Sequence, residues 1–256
     1  MLKNTFLFIF AILVSGIFAE DLTSSFVPRE HRGFYNSVGF GIGYNKISAK
    51  STWEDLDNTR IDKKDIESFD FWGITTPSFD FKFGTAIANL IAFHTTFNFA
   101  IYSGVMDYEE VNYDREIAQN ENGNPLYDKQ GDKVYAEDWR AYDSEGFSGD
   151  AVNLRTFVGF GTTIYPFRNP NSAMNGFFIG GSFGYVIYAC FVADDYSAGN
   201  IASFGRSFIA EIGKEWWVSN HLSIGIGFSY NHSSTNFDEA KGTETVYTLS
   251  FRLTRG

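Results

Sequence analysis

His232 and Ser234 stand two residues apart in the stretch "NHSSTN", residues 231–236. On an extended strand that spacing puts both on one face, where an imidazole could serve as base to a serine hydroxyl. Glu244 is the nearest acid on the following segment, but it falls on the opposite parity. His-x-Ser pairs arise often by chance, so the bland alternative is two surface residues. A second set of charges interrupts faces otherwise made of small residues: Asp80, Lys82, Arg155, Glu211, Glu215 and Arg252. Such groups could relay protons or gate a pore. They could equally fill a narrow interior as ion pairs, because unpaired buried charges are costly and must find partners. His31, His94 and His221 do not cluster at metal-ligand spacing, and there is no nucleotide loop, zinc motif or basic stripe. No cofactor, no metal centre and no nucleic-acid partner is expected.

These residues sit in eight segments that alternate apolar and polar side chains, the mark of strands with two unlike faces. The first, "GFYNSVGFGIGYN", sets Phe34, Val38, Phe40, Ile42 and Tyr44 against Ser37, Gly39, Gly41, Gly43 and Asn45. The second, "SFDFWGITTPSFDFKFG", puts Phe69, Phe71, Phe79, Phe81 and Phe83 on one parity, with Asp70, Ser78, Asp80 and Lys82 on the other. The remaining six are "IAFHTTFNFAIYS", "AVNLRTFVGFGTTIYP", "FFIGGSFGYVIYACF", "SFIAEIGKEWWV", "LSIGIGFSYN" and "ETVYTLSFRLT". Each holds about ten residues or more, enough for a tilted strand to cross a bilayer.

The connections alternate in length. Long or medium ones (46–67, 104–150, 192–204 and 232–243) face tight ones around Ala88–Leu90, at "RNPNSAMN" and at Ser219–His221. With both termini inside, every long loop falls outside. That is the pattern of an outer-membrane barrel with short periplasmic turns. The polar parity supports it. Gly, Ser, Thr and Asn with a few charges of both signs suit the interior of an eight-stranded barrel, which has room only for side chains. The Phe-rich parity then faces lipid. Pro77 cannot donate to a ladder, so a bulge near the outer rim is expected there, leaving Ser78–Gly84 to cross the membrane. Lys214, on the lipid parity beside Trp216, is expected to snorkel to the interface.

The start, "MLKNTFLFIFAILVSGIFAED", has one Lys, a short apolar run and Ala19 before an acidic pair, which marks a secretory signal over 1–19. A periplasmic tail (20–32) and a barrel domain (33–254) follow. The single cysteine, Cys190, lies in an apolar stretch and is expected to pack rather than pair. Loop 104–150 carries thirteen acidic and four basic residues, within a chain of net charge −11. Its oxygen-rich surface could hold divalent cations, although a solvated, self-repelling loop needs no ligand. Within it "GNPLY" and "GDKVY" echo each other at Gly123 and Gly131, which suggests a small projecting hairpin.

The signal, the eight dyad-repeat strands and the closing "YTLSFRL" together resemble the small outer-membrane β-barrels of OmpA and OmpX type. The closing stretch alternates Tyr247, Leu249, Phe251 and Leu253, like that family's assembly signal, but runs on to Thr254-Arg255-Gly256. The resemblance implies a closed, antiparallel, eight-stranded transmembrane barrel in a Gram-negative-type outer membrane. It implies outer-membrane lipid, lipopolysaccharide and the assembly machinery as partners. No peptidoglycan-binding domain is expected after the barrel. The pair His232 and Ser234 also resembles the dyad of lipid A deacylases, which are eight-stranded barrels too, with Thr235 where that family has asparagine. Three functions follow: a non-enzymatic barrel acting through its loops, a lipid A-modifying enzyme, or a soluble periplasmic ligand-binding barrel.

Overall fold

In the computed structural model, which describes residues 31–56, 60–169, 171–192, 201–237 and 240–256, eight antiparallel strands pair in chain order. The first completes the ring by pairing with the last. They are β1 (Gly33–Asp55), β2 (Ile61–Ile87), β3 (Ile91–Glu116), β4 (Arg140–Ile164), β5 (Phe177–Val192), β6 (Ile201–Trp217), β7 (Leu222–Phe237) and β8 (Ala240–Arg255). The signal expected over 1–19, and all of the tail before His31, lie outside the described residues. Closure pairs the strand edges with one another, as a chain in lipid requires. The near end carries both barrel termini and the tight turns. One of these turns, the three residues between the paired Ile87 and Ile91, places Ala88 and Asn89 at φ +53° and +50° and closes with the Leu90 amide donating to the Ile87 carbonyl.

Side chains fall as the alternation demands. Phe40, Phe160 and Phe183 point outward and are 54, 77 and 62 % exposed. Ser37, Asn45, Thr96 and Arg155 point inward and are buried. An apolar belt around the whole ring cannot be solvated by water but suits lipid, and this is a transmembrane barrel. Lys214 lies at the near rim as expected. Its ammonium donates to the carbonyls of Asn175 and Glu215 and sits 5.4 Å from the Trp216 ring.

Two expectations require correction. Phe69 and Phe71 do not face lipid with Phe79, Phe81 and Phe83. Gly41 pairs with Ser78 and Gly43 with Thr75, so Thr76 and Pro77 oppose the single residue Ile42. One extra residue reverses the faces of everything beyond it. Below the bulge the odd positions of β2 face out. Above it Trp72 and Ile74 face out, while Phe69 and Phe71 are buried in the lumen. The bulge also accommodates Pro77, as expected.

The second correction concerns the loops. Residues 46–67 and 104–150 are mainly barrel wall: β1 to β4 run 23 to 27 residues, against 16 or 17 for β5 to β8. Beyond Tyr44 the alternation in β1 changes sense, with Lys46, Ser48 and Lys50 outward and Ile47 and Ala49 inward. The wall therefore leaves the membrane as a water-facing barrel with an apolar inside. Four strands stand taller than the other four.

Removing Thr76 should close the bulge and force one half of β2 to show its faces the wrong way. The unmodified chain, refolded in detergent, should migrate as a heat-modifiable band on gels. The deletion variant should lose that band, and its retention with an unchanged unfolding midpoint would contradict the parity switch.

Candidate functional site

The inward parity brings the six expected charges into the lumen, though not into one network. Near the terminal end, Lys82 Nζ donates to Glu211 at 2.6 Å and lies 2.8 Å from Asp80. Arg252 reaches Glu211 at 3.5 Å and Glu215 at 3.7 Å, and its guanidinium lies 4.1 Å from the centre of the Phe178 ring. Three carboxylates thus meet two cations. Glu215 is completed by hydroxyl donors: Ser223 at 2.8 Å, Thr254 at 2.9 Å and Tyr165 at 3.4 Å.

His31 also belongs to this tier, and nothing in its sequence context marked it. Its ring is buried against Tyr165 and Trp217, and its Nε2 lies 3.2 Å from Glu215. The backbone of His31 pairs with Asn89 on the first tight turn, its amide donating to the Asn89 side chain and its carbonyl accepting the Asn89 amide. The chain before β1 is thereby drawn into the near mouth.

Arg155 does not join Glu211 and Glu215. Its Nε donates to both carboxylate oxygens of Glu244 at 3.0 Å, and Nη1 donates to Asn98 at 2.9 Å. Glu244 also accepts from Asn45 at 2.8 Å and from Ser233 at 2.7 Å. Glu244, weighed only as a catalytic acid, is the missing half of an ion pair. Apolar neighbours surround this second tier: Ile47 sits opposite Glu244, and Ala100 and Tyr188 sit opposite Arg155. They belong to a buried layer with Phe69, Phe71, Tyr102, Met106, Val186, Val246 and Cys190, and Cys190 packs there as expected. A cavity of about 20 Å3 touches Asp80, Glu211 and Arg252 of the near tier and Asn98 of the far one. It has room for a water molecule and little more.

Inward glycines make the space these charges fill. A Cβ on Gly180 would come within 2.4 Å of a Glu211 oxygen, and one on Gly225 within 2.7 Å of the Glu215 side chain. The glycine-rich parity is therefore a volume requirement.

His232 and Ser234 face outward at the far rim, as their parity required. The His232 ring meets Thr245 at 3.4 Å and lies beside Phe208 and Tyr230. Glu244 is on the other side of the wall, so the three are not brought together. It is Ser233, between them, that bonds Glu244.

Above the membrane, residues 117–135 fold into three short segments rather than one hairpin, a meander closed on itself because its first segment also pairs with its third. The echo at Gly123 and Gly131 is a repeated turn. Asn120 Oδ1 caps the amides of Asn122 and Asn124, Asp128 Oδ1 caps those of Gln130 and Asp132, and each glycine adopts positive φ. Asp62 on β2 anchors the meander through Lys133 at 2.9 Å and Tyr135 at 2.8 Å, and the first bond raises the Lys133 pKa. On the inner face of the tall wall, Glu67, Glu110 and Glu145 stand directly opposite one another in register. Among the described residues no three metal-ligating side chains gather into a metal site.

No protein-family profile matches the chain, and no curated protein matches it. Among solved structures it is similar to the outer membrane protein OprG from Pseudomonas aeruginosa, at 12 % identity over 89 % of this chain and 98 % of that one, with a TM-score of 0.45. It is also similar to Ail, the attachment invasion locus protein of Yersinia pestis, at 9 % identity over 86 % and 99 % of the two chains (TM-score 0.36). The outer membrane protease OmpT from Escherichia coli is a third, at 11 % identity over 91 % and 99 % (TM-score 0.36).

Proposed function

We propose that the chain is an outer-membrane barrel that neither conducts nor catalyses, and that it acts through the wall and meander it holds outside the membrane. The observation that carries this is the filled lumen. Two tiers of ion pairs and an apolar layer occupy the space a solute would need. A non-enzymatic role is supported by Glu244, which is committed to Arg155, Asn45 and Ser233. A surface role is supported by the glutamate row. Glu110 accepts hydrogen bonds from Tyr108 at 3.1 Å and Asn112 at 3.4 Å, but these neutral donors leave the charge of the row in place, and like charges directly opposite on a sheet lower stability. A cationic partner at this face would offset it. Outer-membrane lipid, lipopolysaccharide and the assembly machinery are the expected surroundings.

Three measurements test this. Arg155→Ala leaves Glu244 buried without its cation, a loss of about 3–5 kcal/mol, so the unfolding midpoint of the refolded protein should fall clearly. Glu121→Ala, on an exposed turn of the meander, should leave it nearly unchanged because exposed charges contribute little. Equal midpoints in the two variants would remove the ion-pair plug. Glu110→Gln should raise stability by a few tenths to about 1 kcal/mol, since it relieves the glutamate row; a clear loss would show that the row is compensated within the chain. Lipid A from cells with and without the gene should have the same mass. Loss of an acyl chain in its presence would return His232 and Ser234 to catalysis.

A further inference from the structure

The outward faces of β7, β8 and β1 change character in register, and β6 adds Arg206 between the exposed Phe208 and Phe204. Ile42, Leu249 and Phe228 stand side by side, and two residues higher Tyr44, Tyr247 and Tyr230 form the next row. Two residues higher again come Lys46, Thr245 and His232, followed by Ser48, Thr243, Ser234 and Arg206, then Lys50 beside Lys241. Lys46, Lys50, Lys241 and Arg206 are all exposed. Among the described residues none of them has an ion pair or a side-chain hydrogen bond to satisfy its charge, whereas Lys64 on β2 and Lys133 in the meander each have a carboxylate. Among the described residues these rows carry no acid on β6, β7, β8 or β1. On β2, β3 and β4 the same rows present Asp70, Asp107, Glu109 and Asp150 instead.

We infer that this basic arc binds the headgroup phosphates of an anionic lipid in the adjoining leaflet. The arc begins immediately above the tyrosine row, and tyrosines of such belts sit at headgroup level. Lys46 and Lys50 are about 13 Å apart along β1, and four strands at about 4.8 Å spacing make the arc about 14 Å wide. That area suits a headgroup bearing more than one phosphate, and the apolar belt below receives its chains. His232, Ser234, Thr243 and Thr245 place imidazole and hydroxyl groups between the cations, where they can bond phosphate oxygens. The acidic rim of β2, β3 and β4 adjoins the arc, with Asp70 directly beside Ser48, and it repels the same ligand, so binding is one-sided. A free phosphate would gain nothing from the apolar belt and the tyrosine row, which is why a lipid is the occupant. The inference rests on the membrane placement proposed above.

The test uses the full chain inserted into phosphatidylcholine bilayers, solubilised gently, and weighed by native mass spectrometry after mixing with lipid A as the phosphorylated probe. The unmodified protein should retain the probe. A basic side chain beside an anionic surface contributes roughly fivefold in affinity, so Lys46→Gln, Lys50→Gln and Arg206→Gln combined should weaken retention by about a hundredfold. Asp70→Asn with Asp107→Asn should not weaken it. Retention by the triple variant equal to that of the unmodified protein would overturn the arc. Full displacement by inorganic phosphate at an equal concentration would overturn the lipid as its ligand. Heat-modifiable migration of every variant reports insertion separately. An unmodified chain that inserts but retains no probe removes the arc alone, and one that never inserts removes the membrane placement with it.

Discussion

An eight-stranded ring has an interior no wider than the side chains that line it. Any charge placed inside must therefore meet its partner there, and any side chain inside must leave room for the ones opposite. Arg155 with Glu244, and Lys82 and Arg252 with Asp80, Glu211 and Glu215, satisfy the first demand. Gly180 and Gly225 satisfy the second. Substituting apolar residues for buried ion pairs is often neutral or stabilising, so stability alone does not account for the polar filling. Lipid does: the belt outside is apolar, and a chain with two apolar faces would have no unlike faces to define its register.

The same constraint shapes what stands above the membrane. Beyond the tyrosine row the surroundings change from lipid to water, and the sense of alternation changes with them. In β1 this happens within the strand, as Lys46, Ser48 and Lys50 turn outward. In β2 an extra residue beside Pro77 resets the faces, which carries Phe69 and Phe71 inward to seal the lumen. The tall half-wall then presents acids inside and a meander at its edge, while β6, β7 and β8, together with the outward lysines of β1, leave a basic rim beside the bilayer.

Much of this was legible from period-two alternation, because the faces of a strand in lipid differ so sharply. The ring, the near-end turns, the inward charges and the role of Cys190 were all readable. The misread elements share one physical cause. Alternation reports that two faces differ and does not report which solvent each one meets. "KISAK", residues 46–50, alternates as well as any lipid-crossing segment but in the opposite sense, so alternation alone does not distinguish this wall from a loop. Phe69 and Phe79 share a parity in number only, because a bulge is a single residue and leaves no trace in composition beyond Pro77. The partnership of Arg155 with Glu244 depends on how far the strands are staggered around the ring. His31 is placed by a turn whose backbone pairs with it, and no local pattern encodes that contact.

The central claim is that the lumen is closed by its own side chains. Planar-bilayer recording of the unmodified, refolded protein addresses it most directly. No stable conductance above that of the bare bilayer is expected under an applied potential. A large, stable conductance from the unmodified protein would mean an open lumen and would contradict the ion-pair plug.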